Sequence, residues 1–213
     1  MKELRYERKY LLSGCDHRSI SSEIMIHPAG FRIQHPDRRI RNIYFDTIEL
    51  AALNTNLYGV AERAKYRVRW YGERSLPGDK ARWETKQKFN TLGAKIVESI
   101  DFPDGVLLNE IAAEVNARFC RMQPLIPTLI NTYMRSYFVT PDNKFRMTVD
   151  REMDFSPVIN GRTITSIPFK VSNIVVELKY DHGFDDEVKE ILQYIPFRQT
   201  KNSKYVTGML MAL

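Results

Sequence analysis

The segment from Lys65 to Tyr71 alternates charged and uncharged side chains with the two-residue period of a β-strand. Lys65, Arg67 and Arg69 fall on one face, and aromatic or aliphatic residues fall on the other. The same alternation recurs in three further segments, at positions 82–88, 144–150 and 176–180. Strand after strand is therefore expected to carry one charged face and one largely apolar face.

The charged faces allow more than one arrangement. Any one of these strands, taken alone, fits an ordinary sheet with one face in water. The chain also contains amphipathic helical segments, whose apolar stripes must be buried against something. If those helices cover the apolar strand faces, the charged faces look either outward into solvent or inward into a closed tunnel. Cations at this density are easier to rationalise around an anionic ligand than around water.

The bulk properties narrow the class of protein. With 213 residues and no internal linker, positions 1–213 are interpreted as a single domain. The net charge of +6 favours an anionic partner without choosing among nucleic acid, polyphosphate and lipid headgroups. Cys15 and Cys120 lie far apart, and the first residues lack the apolar core of a signal peptide, so a reduced, cytoplasmic protein is expected. The four histidines lack the spacing of zinc ligands.

The chain is predicted to be α+β and mainly antiparallel, because about eight strands are joined by turns too short for parallel crossovers. An eight-stranded closed tunnel with helices packed on its outside fits that pattern, and it encloses room for side chains or one slender ligand. Unpaired cations inside would each cost several kcal/mol, so a polyanion, water or carboxylates must accompany them. A linear phosphate chain fits best, because guanidinium groups match phosphate oxygens bidentately at Arg67, Arg69, Arg135 and Arg146.

In these residues the chain resembles the triphosphate tunnel metalloenzymes, a CYTH-like superfamily, and within them the polyphosphate polymerase domain of the vacuolar transporter chaperone (VTC) type. The resemblance runs in order through nearly the whole chain: Glu-Arg-Lys-Tyr at 7–10, Tyr-Phe-Asp-Thr at 44–47, Lys-Tyr-Arg-Val-Arg-Trp-Tyr-Gly at 65–72, Glu-Thr-Lys at 84–86, Lys95, Tyr-Met-Arg at 133–135, Phe-Arg-Met-Thr-Val-Asp at 145–150, Val-Glu-Leu-Lys at 176–179 and Ser-Lys-Tyr at 203–205. Each motif is weak alone, whereas their order and parity together are specific.

The resemblance implies a tunnel that binds ATP or another nucleoside triphosphate by its phosphates and requires Mn²⁺ or Mg²⁺. It assigns phosphate binding and catalysis to Lys9, Arg67, Arg69, Lys86, Lys95, Arg135, Arg146 and Lys204. Tyr133 and Ser203 would be nearby hydrogen-bond donors to the substrate. Glu177 would be the principal metal ligand, and Glu7 a second ligand or the partner of a tunnel cation.

One position departs from the wider family, whose first strand carries Glu-x-Glu-x-Lys. Arg5 stands where the first of those carboxylates is expected, ahead of Glu7 and Lys9. Losing a metal ligand and gaining a cation favours the polymerase branch over the triphosphatase and cyclase branches. The polymerase's usual inositol-phosphate-sensing and membrane-spanning domains are not in these 213 residues, so the resemblance does not extend to regulation or product export. A membrane-protein partner at the inner face of a membrane is a separate expectation.

Three functions follow as hypotheses. The first is a phosphotransferase that moves the γ-phosphoryl group of ATP onto a growing polyphosphate chain. The second keeps the fold and uses water as the acceptor, which gives a tripolyphosphatase or nucleoside triphosphatase. The third is a non-catalytic module that binds polyphosphate. Nucleic acid is not expected as a partner, because no basic recognition helix or exposed aromatic-basic motif is found.

Several residues near these motifs keep a simpler interpretation. Four lysines of the tunnel parity are assigned to strand ends in water: Lys65, Lys88, Lys144 and Lys179. Asp150 either pairs with a tunnel arginine or binds metal, and Glu84 is interpreted as an ion-pair partner. Four aromatic residues are expected to pack in the core: Trp70, Trp83, Tyr44 and Phe45.

Overall fold

The computed structural model describes residues 5–90, 92–120, 123–164 and 167–211, and a ring of antiparallel strands dominates it. The strands are β1 (Arg5–Leu12), β2 (Arg32–Asp46), β3 (Glu62–Tyr71), β4 (Ala81–Phe89), β5 (Leu92–Ile100), β6 (Ile126–Val139), β7 (Phe145–Ile159), β8 (Arg162–Thr163), β9 (Phe169–Val171) and β10 (Ile174–Asp181). The helices are α1 (His17–Met25), α2 (Ala51–Leu57), α3 (Leu108–Phe119), α4 (Val188–Leu192) and α5 (Lys204–Leu210). A 3₁₀ turn at His182–Phe184 precedes α4.

Eight of the strands close into a ring. They run in the order β10, β1, β5, β4, β3, β2, β6 and β7, and β7 pairs back onto β10. The short strands β8 and β9 pair with β7 outside this ring. Among the described residues, β1 meets β5 through one pair, Arg5 with Gly93, whereas β1 and β10 pair along eight residues. The predicted eight-stranded closed tunnel is confirmed.

The apolar strand faces lie outside, under the helices. Residues opposite each other in an antiparallel pair point to the same side of the sheet, so one register fixes the side for every strand. Ile24 of α1 and Ile191 of α4 pack with Val176 of β10 in one buried cluster. Ile111 of α3 packs with Trp83 of β4 in a second cluster. The predicted external helices therefore leave the charged strand faces pointing into the ring.

Local sequence explains where α1 begins. The side chain of Asp16 accepts hydrogen bonds from the backbone amides of Arg18 and Ser19, which have no partner within the helix. The buried residues Ile20 and Ile24 lie four positions apart and therefore share the face that packs on the ring. The capping residue and the apolar spacing together position α1 on the outside of the tunnel.

The helices α2 and α5 pack at one end of the ring, which is called the α5 end below. A third buried cluster joins Leu53 of α2 and Tyr205 of α5 to residues of the strands, including Leu129 and Phe155. Gly208 allows this close approach, because a Cβ there would lie 2.6 Å from the side chains of both Leu129 and Phe155. Any larger residue at position 208 would push α5 away from the ring.

Two strands are longer than predicted from the sequence by eight or more residues. β2 was expected from Arg41 onward but begins at Arg32, because register shifts around His35 accommodate Pro36. β7 was expected to end at Arg151 but continues to Ile159. No helix within the described ranges is both long and apolar enough to cross a bilayer.

Candidate functional site

The interior of the ring, called the basic chamber below, contains more cations than carboxylates. At least nine cations of the described residues line it: Lys9, Lys65, Arg67, Arg69, Lys86, Lys95, Arg135, Lys179 and Lys204. Four carboxylates face them: Glu7, Glu84, Asp150 and Glu177. The register accounts for this convergence, since facing pairs such as Lys9–Glu177 and Lys86–Lys95 share the inner side.

Glu84 anchors one wall of the chamber. Its side chain is 1% exposed and contacts Arg67 at 2.7 Å, Lys95 at 2.5 Å and Arg69 at 3.8 Å. Burial alone would raise the pKa of Glu84, but the charges of the two arginines and Lys95 hold it well below its usual range. The interpretation of Glu84 as an ion-pair partner is correct, and three cations share this one carboxylate.

The two arginines of this wall are oriented by uncharged groups as well. Arg67 donates to the hydroxyl of Tyr44 at 3.2 Å. Arg69 donates to Asn42 at 2.8 Å and to the hydroxyl of Tyr133 at 2.9 Å. Tyr44 packs in a buried core cluster as expected. Its hydroxyl also reaches the chamber, because its register partner on β3 is the inward-facing Arg67. These contacts hold both guanidinium planes in fixed directions before any ligand is present.

Asp150 occupies the opposite wall with two cations. It is fully buried and accepts a bidentate pair of hydrogen bonds from Arg135, at 2.5 and 2.7 Å. Lys204 of α5 contacts the same carboxylate at 2.5 Å, and its ammonium lies 4.7 Å from the ring centre of Tyr133. Of the two roles left open for Asp150, the structure shows the ion pair.

Glu177 and Glu7 lie along β10 and β1, and each already has a lysine partner. Glu177 contacts Lys9 at 2.9 Å and Lys179 at 2.7 Å, and Glu7 contacts Lys86 at 2.6 Å. The assignment of Lys179 to water was wrong, since its side chain is only 27% exposed and pairs inside the ring. Burial opposes ionisation of both carboxyls, yet these neighbouring charges lower the pKa of each.

These carboxylates fit a divalent ion only in a limited way. The described residues hold no group of three or more His, Cys, Asp or Glu side chains placed to bind a metal. Mg²⁺ is commonly held by one or two protein carboxylates, with substrate phosphates and water completing its shell. Glu177 and Glu7 therefore fit an ion that arrives with phosphates rather than one held by the protein alone.

Three lysines of the chamber are poorly stabilised as cations. Burial is the main reason that the pKa values of Lys86 and Lys95 fall to about 8, although their carboxylate partners oppose it. The pKa of Lys65 is lowered well below its usual value by burial and by the cations around it. Lys65 donates to Ser203 at 2.6 Å, so its assignment to water was also wrong. An added anion would stabilise the protonated form of all three.

The chain segment before α5 crosses the tunnel and closes the α5 end. The amide of Thr200 bonds to the carbonyl of Lys9 at 2.7 Å, and the ammonium of Lys9 donates to the carbonyl of Asn202 at 3.1 Å. Lys204 then reaches Asp150 on β7. The hydroxyl oxygen of Ser203 accepts from Lys65 and from the first turn of α5. Its role as a donor to substrate stays a prediction. Because this segment closes the α5 end, the chamber can be reached only from the opposite end of the described tunnel, called the mouth below.

Arg146 is the one predicted phosphate ligand that lies outside this buried network. It faces Lys179 in the register and so shares the inner side, but it sits near the start of β7 at the mouth and is exposed. Within the described ranges its side chain has neither an ion pair nor a hydrogen bond. The other predicted site residues, Ser203 at the α5 end included, come together in the chamber.

The fold and the chamber define a class of protein, the antiparallel tunnels with a basic interior. A candidate adenylate cyclase from Vibrio parahaemolyticus has the same fold, with a TM-score of 0.59 and 11% identity. The alignment covers 97% of this chain and 99% of the Vibrio chain. A Hippeastrum protein described as a candidate adenylyl cyclase with dominant triphosphatase activity aligns with a TM-score of 0.53, 13% identity and coverages of 99% and 96%. A Pyrococcus horikoshii protein aligns with a TM-score of 0.52 and 12% identity, over 97% of this chain and 96% of its own.

Within that class, a match to a family model identifies the family of this chain. The VTC domain model matches residues 4–213, so the chain belongs to the VTC domain family. No curated protein sequence is significantly similar to it. The predicted resemblance to the VTC type is confirmed, and the solved structures show that the fold is shared with other tunnel proteins.

Proposed function

We propose that this protein binds a nucleoside triphosphate by its phosphates in the basic chamber and transfers the γ-phosphoryl group to inorganic polyphosphate. The observation that carries this proposal is the excess of cations over carboxylates in an enclosed space. A phosphate chain carries negative charge at every unit. It can therefore supply the negative charge that four shared carboxylates provide only in part to the surrounding cations. Membership of the VTC domain family supports the same substrate class.

The proposed chemistry requires little from protein nucleophiles. The bond between the γ-phosphorus and the bridging oxygen to the β-phosphate breaks, and a terminal oxygen of the acceptor chain forms the new bond. Positioning and charge stabilisation supply most of the catalysis in such reactions. Arg67, Arg69 and Arg135 present guanidinium forks that can grip phosphate oxygens bidentately. Lys9 and Lys86 add point charges along the neighbouring wall.

Glu177 and Glu7 are the residues that would hold a divalent ion, Mn²⁺ or Mg²⁺. Such an ion, when bound with the phosphates, would neutralise charge that develops on their oxygens. Lys9 and Lys179 position the carboxylate of Glu177, and Lys86 positions that of Glu7. These lysines can turn toward phosphate once the carboxylates have another partner.

A second candidate is hydrolysis of the triphosphate, and the closed α5 end favours it. The segment from Thr200 to Lys204 bridges the walls at Lys9 and Asp150, so a long product has no exit opposite the mouth while α5 is in place. Water as the acceptor needs no such exit. The triphosphatase activity described for the Hippeastrum neighbour is consistent with this candidate for a tunnel of this shape.

Phosphorus NMR of the protein with ATP and Mn²⁺ distinguishes the two reactions. Signals of internal phosphates together with ADP would report chain growth, and orthophosphate with ADP would report hydrolysis. Arg67→Ala and Glu177→Gln should each lower the rate at least tenfold. The matched control is Arg118→Ala, which removes an exposed arginine of α3 that pairs with Glu114 outside the ring. Unchanged ATP after long incubation with wild-type protein would refute both reactions and leave only binding.

A further inference from the structure

Three arginines at the mouth differ from the cations deeper in the tunnel. Arg38, Arg82 and Arg146 are exposed, and none has a carboxylate partner in the described part of the chain. Their register partners are inward-facing residues, Arg135 for Arg38 and Arg69 for Arg82. Of the nine chamber cations named above, eight are ion-paired and Lys65 is not. The mouth therefore attracts anions without first having to break ion pairs.

Two tyrosine rings lie among these arginines. The guanidinium of Arg82 lies 5.7 Å from the ring centre of Tyr71, and that of Arg38 lies 5.6 Å from the ring centre of Tyr137. His35 meets Tyr137 edge to face at 5.6 Å. Tyr71 is 38% exposed, which is unusual for a large aromatic side chain on the inner face of a closed tunnel. Two aromatic rings and two guanidinium planes are thus exposed or half-buried at one opening.

The two rings are connected through β2, which lies between their strands. Burial is the main cause that raises the pKa of Tyr137 to about 12, and the neighbouring Tyr71 hydroxyl adds to the shift while Arg135 and Arg38 oppose it. Tyr71 faces Ile40 of β2 in the register, and Arg38, two residues away on the same face of β2, lies 5.6 Å from the ring centre of Tyr137. Tyr71 and Tyr137 therefore belong to one surface, although they stand on β3 and β6, which are separated by β2 in the ring.

The position of the rings along the tunnel relates them to the phosphate site. Tyr71 lies two residues beyond Arg69 on β3, and Tyr137 lies two residues beyond Arg135 on β6. Two residues of a strand span about 7 Å, so each ring stands one step outward from a guanidinium of the chamber. Because the α5 end is closed, a nucleotide that enters with its phosphates first leaves its base at this level.

We propose that Tyr71 and Tyr137 form a stacking platform for the base of the nucleoside triphosphate, with Arg38 and Arg82 beside it. This inference rests on the proposed function, since it assigns the substrate class of the same tunnel. Aromatic rings stack on any nucleobase, and arginine adds cation–π contacts, so the platform distinguishes a nucleotide from a bare phosphate chain. A polyphosphate chain would use the arginines but would have no use for the rings.

The test compares two ligands that share their phosphates and differ in the nucleoside. Calorimetry would measure the Kd of the β,γ-imido analogue of ATP and of tripolyphosphate for wild-type protein and for Tyr71→Leu, Tyr137→Leu and the double variant. Loss of stacking should weaken the nucleotide analogue about 5- to 30-fold per ring. Tripolyphosphate should change less than twofold. Tyr71→Phe and Tyr137→Phe keep the rings and should bind both ligands like wild type.

A control variant and the contrary outcomes complete the test. Tyr58→Ala removes a tyrosine that is 83% exposed next to α2, away from the mouth, and should alter neither Kd. Equal weakening of both ligands would show that the mouth holds phosphate and would overturn the platform, as would leucine variants that bind the analogue normally. If the platform variants behave as expected but ATP is never turned over, the proposed function fails while this inference stands. A wild-type protein that binds neither ligand would refute both.

Discussion

Replacing Asp150 by asparagine tests whether the chamber carboxylates take the place that phosphates would occupy. The substitution removes the negative charge that Arg135 and Lys204 share. Both cations are largely buried, with side chains that are 9% and 10% exposed. Breaking a buried ion pair by removing one partner costs about 3–5 kcal/mol. For a chain of this size each kcal/mol lowers Tm by about 2–4 °C, so a drop of about 10 °C is expected.

The same variant should gain more from an anion than wild-type protein does. Tripolyphosphate would restore negative charge beside Arg135 and Lys204, so its stabilisation of Asp150→Asn should exceed its stabilisation of wild type. Thermal and urea unfolding with and without tripolyphosphate measure both quantities. The control is Thr148→Val on the same face of β7, because the buried hydroxyl of Thr148 has no hydrogen-bond partner among the described residues.

Two results would contradict this reasoning. If Asp150→Asn unfolds at the same temperature as Thr148→Val, the buried cations do not depend on that carboxylate. If tripolyphosphate stabilises the variant no more than it stabilises wild type, then Arg135 and Lys204 do not face the anion site, and the assignment of both residues to phosphate binding is wrong.

Three further predictions concern protons, metal and the α5 end. The pKa of Lys86 is about 8 in the free protein, and a bound phosphate would raise it. Tripolyphosphate binding at pH 8.5 should therefore take up protons, and the affinity should fall as pH rises further. Calorimetry in buffers of different ionisation enthalpy measures this proton uptake, and a binding reaction without proton uptake would contradict the prediction. Glu177→Gln should abolish the dependence of nucleotide affinity on Mn²⁺ while metal-free tripolyphosphate binding persists, and an undiminished Mn²⁺ effect would exclude Glu177 as a ligand. Tyr205→Phe removes the 2.6 Å hydrogen bond to buried Asp46 and should lower the free energy of unfolding by about 1–3 kcal/mol, whereas an unchanged urea midpoint would show that this contact does not hold α5.

Much of the fold follows from the alternation of residue types along single strands. The parity of Lys65 to Tyr71 correctly placed Arg67 and Arg69 on one side and Trp70 in the core, because pleating is a local property of the backbone. Parity does not reveal which strands become neighbours. Glu84 forms ion pairs with cations of both β3 and β5. This arrangement depends on the register of three strands, and no single segment of the sequence contains that information.

The errors about the site have a common origin in the strand ends. Lys65 was assigned to water as the first residue of a strand, but β3 begins at Glu62, so Lys65 lies three residues inside it. Lys179 was treated in the same way, although β10 continues to Asp181. Neighbouring strands extended both elements, and that extension depends on pairing between distant parts of the chain rather than on local composition.

The bridge between Lys9 and the segment that leads into α5 has a consequence for how the protein is made. Residues near the two ends of the sequence meet across the tunnel, so the anion site cannot exist until position 204 has left the ribosome. Until then Asp150 lacks its contact with Lys204, and the α5 end of the tunnel is not covered. Contacts of such long sequence separation also slow folding. Pulse-labelling during translation would therefore find the cationic strands accessible until the last helix is complete.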